Sequence, residues 1–162
     1  MHLLLQPLAE KTGQILKKQN LKLVTAESCT GGGFSFWVTS IPGSSEWFER
    51  GFITYSDQAK IEMLGVKEKT LSSFGAVSKE TAIEMAEGAL KNSHAEISVA
   101  ITGIAGPTGA SKEKPIGTVW IAFAKKNFQT EVFMEIYKGD RETIREKTIA
   151  ATFEKLLNRI GE

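Results

Sequence analysis

Cysteine and histidine are scarce in this 162-residue chain: one Cys, Cys29, and two His, His2 and His94. A single thiol forms no internal disulfide. With two histidines it assembles neither a zinc ribbon nor a deaminase-type His/Cys zinc site. The missing disulfide framework points to a reducing, cytoplasmic setting. A surplus of either charge is lacking too, with 20 Lys and Arg against 19 Asp and Glu. No bulk field therefore gathers nucleic acid or an anionic membrane, and any anion site must be local. Long apolar runs are also missing. "MHLLLQPLAEKTGQILKKQN" has no basic segment ahead of its leucines, and proline and acidic residues interrupt it well short of a membrane span, so neither a signal peptide nor a transmembrane segment is expected.

What remains is a globular composition, 41% hydrophobic, suited to one domain over residues 1–162. Leu4, Leu8, Ile15 and Leu16 recur at helical spacing, and "LKLVTA" follows as a short strand. "TGGGFSFWVTS" reads as a helix and "ERGFITYS" as a second strand. "SDQAKIEMLGV" reads as a helix with Ser56 or Asp57 as N-cap and Gly65 near its stop. "SKETAIEMAEGALKNS" is a helix capped by Ser78 with Ile83, Ala86 and Leu90 on one face, and "AEISVAITG" is a buried central strand. "TVWIAFA" and "QTEVFMEIY" alternate like an antiparallel pair around "KKNFQ", ahead of an amphipathic helix capped by Asp140. The pattern predicts an α/β fold: a three-layer α/β/α sandwich on a mixed, mostly parallel sheet of about five strands, one antiparallel.

In such sheets ligands collect beyond the strand C-terminal ends, and "ESCTGGG" and "ITGIAGPTGA" both follow predicted strands. "TAESCTGGG", residues 25–33, leaves three readings open: a nucleophile on a strand-to-helix turn, a glycine cradle for phosphate, or a plain helix N-cap. As a nucleophile, Ser28 would profit from free N–H groups and the positive end of the following helix. It also requires a base. With no histidine in an obvious site loop, the alternative is a lysine whose burial lowers its pKa from about 10.4 toward neutrality. Lys60 of "YSDQAK" is that candidate, with Tyr55 at the strand end; both also read as an ordinary helix lysine and a half-buried aromatic. Cys29 reads as a small buried residue or a thiol nucleophile. The loop "IAGPTGASKEKPIG" fits neither P-loop nor dinucleotide spacing, yet fourteen residues without regular structure lean toward function.

Taken together, "TAESCTGG", "IPGSSEWFERGFITYSDQAKIEMLGV", "GAVSKETAIEMAEGAL", "AITGIAGPTGASKEKPIGTVWIAFA" and "GDRETIREKTIAATFEKLL" resemble the carboxy-terminal domain of the competence-damage-inducible CinA family, from about Leu4 to Leu157. Within it the chain is most similar to stand-alone members, the nicotinamide-nucleotide amidases. The resemblance implies hydrolysis of nicotinamide mononucleotide to nicotinate mononucleotide and ammonia, in pyridine nucleotide salvage, with no metal or organic cofactor. It implies Ser28 as nucleophile, assisted by Lys60 and Tyr55. Thr30, Gly31 and Gly32 would border the substrate, with N–H groups near Thr30 and Gly31 holding the oxyanion. Thr102, Gly103, Ala105 and Gly106 would approach the ribose or phosphate, and Arg145, with or without Arg141, would meet the phosphate in its own or a neighbouring subunit's site. The implied partners are a small-molecule nucleotide substrate and, in a homo-oligomer, a second copy forming a dimer.

The chain departs from the family pattern in having Gly33, Phe34, Ser35 and Phe36 after the glycine pair and Ala110 where glycine is common. Two other functions stand beside the amidase. One is a nucleotide-binding or regulatory domain without chemistry, its docking blocked by those aromatic residues; the other is a Ser/Lys amidase for a different amide.

Overall fold

The computed structural model describes residues 2–161, in which helices and strands alternate as expected. In chain order they are α1 (His2–Lys18), β1 (Leu23–Glu27), α2 (Gly33–Thr39), a short 3-10 turn (Ser44–Glu46), β2 (Phe48–Ile53), α3 (Asp57–Leu64), α4 (Glu68–Phe74), α5 (Lys79–Lys91), β3 (Ile97–Gly103), β4 (Thr118–Lys125), β5 (Glu131–Ile136) and α6 (Arg141–Ile160). The sheet order is β2-β1-β3-β4-β5. β1 pairs parallel with β2 and β3, while β4 pairs antiparallel with β3 and β5. Among the described residues, four strands thus share a direction and β4 alone is reversed.

Side chains alternate across each strand and divide the core into two layers. Leu23, Val99, Ile101, Ile121 and Phe123 face α1, α2 and α6, packing with Leu5, Phe34 and Phe153. Val24, Ala26, Ala100, Ala122 and Ala124 face the other way, toward Leu64, Leu71 and the small residues of α5. The result is an α/β/α sandwich.

The helices differ from the sequence reading in which face they bury. In α5, Ala82, Met85, Ala86 and Ala89 are fully buried, whereas Ile83 and Leu90 are only partly so. The alanine floor of the sheet admits a close helix, and at Gly88 a Cβ would lie 1.9 Å from the Leu64 carbonyl oxygen. In α1 the buried line is Leu5, Ala9 and Leu16, and Leu4 faces solvent. That line follows the contact with α6, one residue from the expected stripe. α4 was not expected; only Thr70 and Leu71 of its seven residues are buried, too few to produce a period.

Topology fixes where the loops meet. From β1 the chain passes through α2 to β2 at one edge, then returns through α3, α4 and α5 on the other face to β3, beside β1. The loops after β1, β2 and β3 therefore open into one crevice, at the point where the connections reverse direction.

Candidate active site

Glu27 closes β1 with its side chain buried. A buried carboxylate is tolerable only when donors satisfy both oxygens. Oε1 accepts the Thr30 hydroxyl at 2.7 Å and the Phe34 N–H at 2.9 Å, and Oε2 accepts the Ser35 N–H at 3.0 Å and its hydroxyl at 2.7 Å. The first turn of α2, whose positive end the sequence reading assigned to charge developing at Ser28, thus carries the protein's own carboxylate. α2 is held down by Phe34, stacked on Phe153 with ring centroids 4.2 Å apart.

Ser28 follows directly. Its N–H donates to the Ile101 carbonyl at 2.9 Å, extending the sheet by one residue, and its own carbonyl accepts the Gly31 N–H at 3.0 Å. The turn then needs left-handed backbone at Gly31 (φ 58°) and Gly32 (φ 94°), and a Cβ on Gly32 would press Ile53 Cδ1 at 2.9 Å. Of the two N–H groups expected to hold an oxyanion, that of Gly31 is engaged inside the turn. The Thr30 N–H has no partner among the described residues.

The side chain of Ser56 accepts the Ala59 N–H at 3.0 Å and so starts α3, while Gly65 in left-handed conformation ends it. Lys60 lies in the first turns between those caps, pointing inward and only 1% exposed. Its Nζ is 3.0 Å from Ser28 Oγ and 2.8 Å from the Thr54 carbonyl oxygen. Burial holds the Lys60 amine below the usual lysine range, with Asp57 and Cys29 pulling weakly the other way. In the neutral amine one N–H goes to Thr54, leaving the lone pair free for the Ser28 hydroxyl proton. Cys29, next in the chain, differs: burial foremost, then the charge of Glu27, pushes its thiol up to about 12, so it stays protonated at neutral pH.

Ser28 and Lys60 open into a cavity of about 300 Å³, also lined by Tyr55, Thr102, Gly103, Ala105, Gly106 and Arg141. Thr102 is fixed by its hydroxyl, which donates to the Ala76 carbonyl at 2.7 Å. Thr30, Gly31 and Gly32 do not line the cavity. Nor does Arg145: its Nη2 donates to the Thr30 carbonyl at 3.0 Å, tying α6 to the turn. Arg141 is at the mouth, donating to the Gly106 carbonyl at 2.8 Å and to the exposed Tyr55 hydroxyl at 3.0 Å. Phe36 is solvent-exposed against Trp37, and neither it nor Phe34 lines the cavity.

Sequence reasoning passed over Glu27 and Thr54. An acidic residue ending the otherwise apolar "LVTAE" is the signal for Glu27, because a charge there must find buried donors. Nothing in the sequence marks Thr54. A larger cleft, about 520 Å³, lies at the opposite end of the sheet beside Phe128 and Arg159, and it contains no nucleophile beside a base. Among the described residues no cluster of three or more His, Cys, Asp or Glu side chains is placed to hold a metal ion. No described helix is long and apolar enough to cross a membrane.

The sequence model of the CinA C-terminal domain matches residues 5–160. The chain is 49% identical to nicotinamide-nucleotide amidohydrolase PncC of Escherichia coli K12, over 94% of its own length and 92% of that protein. It is 45% identical to the protein of the same name from Pseudomonas putida, over 93% of each. Among solved structures, the competence/damage inducible protein CihA from Agrobacterium tumefaciens superposes with a TM-score of 0.94 at 42% identity, covering 98% of this chain and 96% of that one.

Proposed function

The chain belongs to the CinA C-terminal domain family, and from that premise we propose that it hydrolyses the carboxamide of nicotinamide mononucleotide to nicotinate mononucleotide and ammonia, returning a pyridine nucleotide to salvage. The observation that carries this reading is the 3.0 Å contact between a buried Lys60 amine and Ser28 Oγ at the floor of a nucleotide-sized cavity. The names of its full-length relatives supply the substrate.

Ser28 Oγ attacks the carboxamide carbon as its proton passes to Lys60 Nζ. The electron-withdrawing pyridinium ring makes that carbon more electrophilic. Of the two N–H groups expected to hold the oxyanion, that of Gly31 is engaged within the turn and that of Thr30 lies outside the cavity wall, so the reading assigns the oxyanion to neither. When the C–N bond breaks, the Lys60 ammonium gives its proton to the departing nitrogen, which leaves as ammonia. Water then attacks the Ser28 ester, with Lys60 taking the water proton and returning one to Ser28 Oγ.

Arg141 is the phosphate group's partner in this reading. A guanidinium has five N–H donors, and only two contacts, to Gly106 and Tyr55, are made here, so a fork remains for a phosphate at the cavity mouth. Tyr55 orients Arg141. Arg145 holds the nucleophile turn from behind.

The test is direct: purified protein mixed with nicotinamide mononucleotide releases one ammonia per nicotinate mononucleotide formed, and Ser28→Ala releases none. Lys60→Ala loses kcat with little change in substrate binding. Because the depressed Lys60 must be neutral to act, activity is lost as pH falls through its folded pKa, on an acid limb below the ordinary lysine value of about 10.4. Absence of ammonia release overturns the activity, and unchanged turnover in Lys60→Ala removes the base.

A further inference from the structure

Thr54 is fully buried, and its hydroxyl Oγ1 has no hydrogen-bond partner. Both of its main-chain groups are already committed to the site. Its N–H donates to the Glu27 carbonyl at 2.8 Å, and its own carbonyl accepts from Lys60 Nζ at 2.8 Å. Ile53 lies against Gly32 on the α2 side of the sheet. Alternation of the extended chain sends the next side chain to the opposite side, where α3 carries Lys60.

We propose that Thr54 Oγ1 is the third anchor of the Lys60 amino group and tunes its proton affinity during turnover, a role that rests on the Ser28–Lys60 reading above. The hydrogen count leaves room for such an anchor. Neutral Lys60 has two N–H groups and a lone pair. The Ser28 hydroxyl proton meets the lone pair, the Thr54 carbonyl takes one N–H, and one N–H is left. After the serine proton has moved, the ammonium has three N–H groups: one faces Ser28 Oγ, one the Thr54 carbonyl, and one is again left. Oγ1 is three bonds from the carbonyl carbon whose oxygen accepts from Nζ, and a turn about the Cα–Cβ bond is the movement the proposal asks of this unpartnered hydroxyl. A hydrogen bond to the ammonium is stronger than one to the neutral amine, so the hydroxyl raises proton affinity that burial lowers. The other ionisable groups around Lys60 are Asp57 on its own helix, Cys29 after β1, and Tyr55 and Arg141 at the cavity. The link at Ala76 and Val77 and the loop after β3 bring no charge to it. Thr54 does not line the cavity and is a positioning residue, not a substrate contact.

Thr54→Val removes the hydroxyl at constant shape and keeps the carbonyl. Losing an acceptor that favours the ammonium moves the acid limb of the ammonia-release profile to lower pH by roughly 0.5 to 1 unit. The plateau kcat falls on the order of 3- to 10-fold, with KM unchanged. Thr54→Ser restores the wild-type limb. Titration of Lys60 through its 13C-labelled Cε, in Thr54→Val and in Thr54→Ala, reads the same shift without turnover. Superimposable pH profiles and an unmoved Cε titration overturn the role of Thr54. If Lys60→Ala retains turnover, the Ser28–Lys60 reading falls first; if turnover depends on Lys60 while the titration is unmoved, only the Thr54 proposal falls.

Discussion

Glu27→Gln is nearly isosteric, yet the structure makes it a severe change. The carboxylate accepts four hydrogen bonds, two on each oxygen, from two backbone N–H groups and two hydroxyls of the α2 turn. Glutamine offers one accepting oxygen and one donating NH2. A hydroxyl can rotate to accept from the NH2, but whichever way the amide is turned, the N–H of Phe34 or Ser35 faces another donor. An unsatisfied buried N–H costs about 1–3 kcal/mol, and losing a negative charge at the helix start costs about 0.3–1 kcal/mol more. Together these give about 1–4 kcal/mol, which for a domain of this size lowers Tm by roughly 3–16 °C. The same turn carries Ser28, so in the proposed mechanism kcat falls by about tenfold or more as Ser28 loses its fixed position. Thermal unfolding followed by circular dichroism, with ammonia release at a temperature where the variant is folded, measures both. A Glu27→Gln protein within about 0.5 kcal/mol of wild type and fully active would refute the buried-carboxylate argument.

Gly88→Ala sets a Cβ 1.9 Å from the Leu64 carbonyl oxygen, backbone against backbone. It is expected to cost about 3 kcal/mol or more in denaturant unfolding, and a loss under about 1 kcal/mol would show that α3 and α5 separate easily. Arg141→Lys keeps the charge and loses the fork. KM for nicotinamide mononucleotide should rise about tenfold or more with kcat within about threefold, and turnover of free nicotinamide, which has no phosphate, should not change; equal effects on both substrates would detach Arg141 from the phosphate. Cys29, its thiol pushed up to about 12, should resist iodoacetamide at pH 8 in the folded protein, as read by intact mass. Rapid single alkylation would contradict that protonation state.

Much of the architecture is legible in the sequence because strand and helix periods differ and the caps are explicit. Ser56, Ser78 and Asp140 each accept an N–H three residues on, as their positions before apolar periodic runs suggest. The buried face of α5 is not legible: Ile83 and Leu90 are the larger apolar residues, but the alanine-rich sheet beneath selects Ala82, Ala86 and Ala89. That choice depends on partners distant in sequence. At the site, Ser28 and Lys60, 32 residues apart, meet as spacing and family resemblance suggest. The division of labour between the two arginines is different. Arg141 and Arg145 are one helical turn apart at the start of α6, and only the placement of the loop after β3 sends one to the cavity mouth and the other to Thr30.

In the proposed mechanism Ser28, deprotonated by Lys60, forms an ester with the pyridine carboxyl group. Acid-quenching the protein within milliseconds of mixing with nicotinamide mononucleotide, then mapping peptides by mass spectrometry, tests it most directly. A nicotinate-mononucleotide adduct is expected on the peptide containing Ser28, absent from Ser28→Ala and strongly reduced in Lys60→Ala. Steady ammonia release from Ser28→Ala, or an adduct mapped to Cys29, would contradict it.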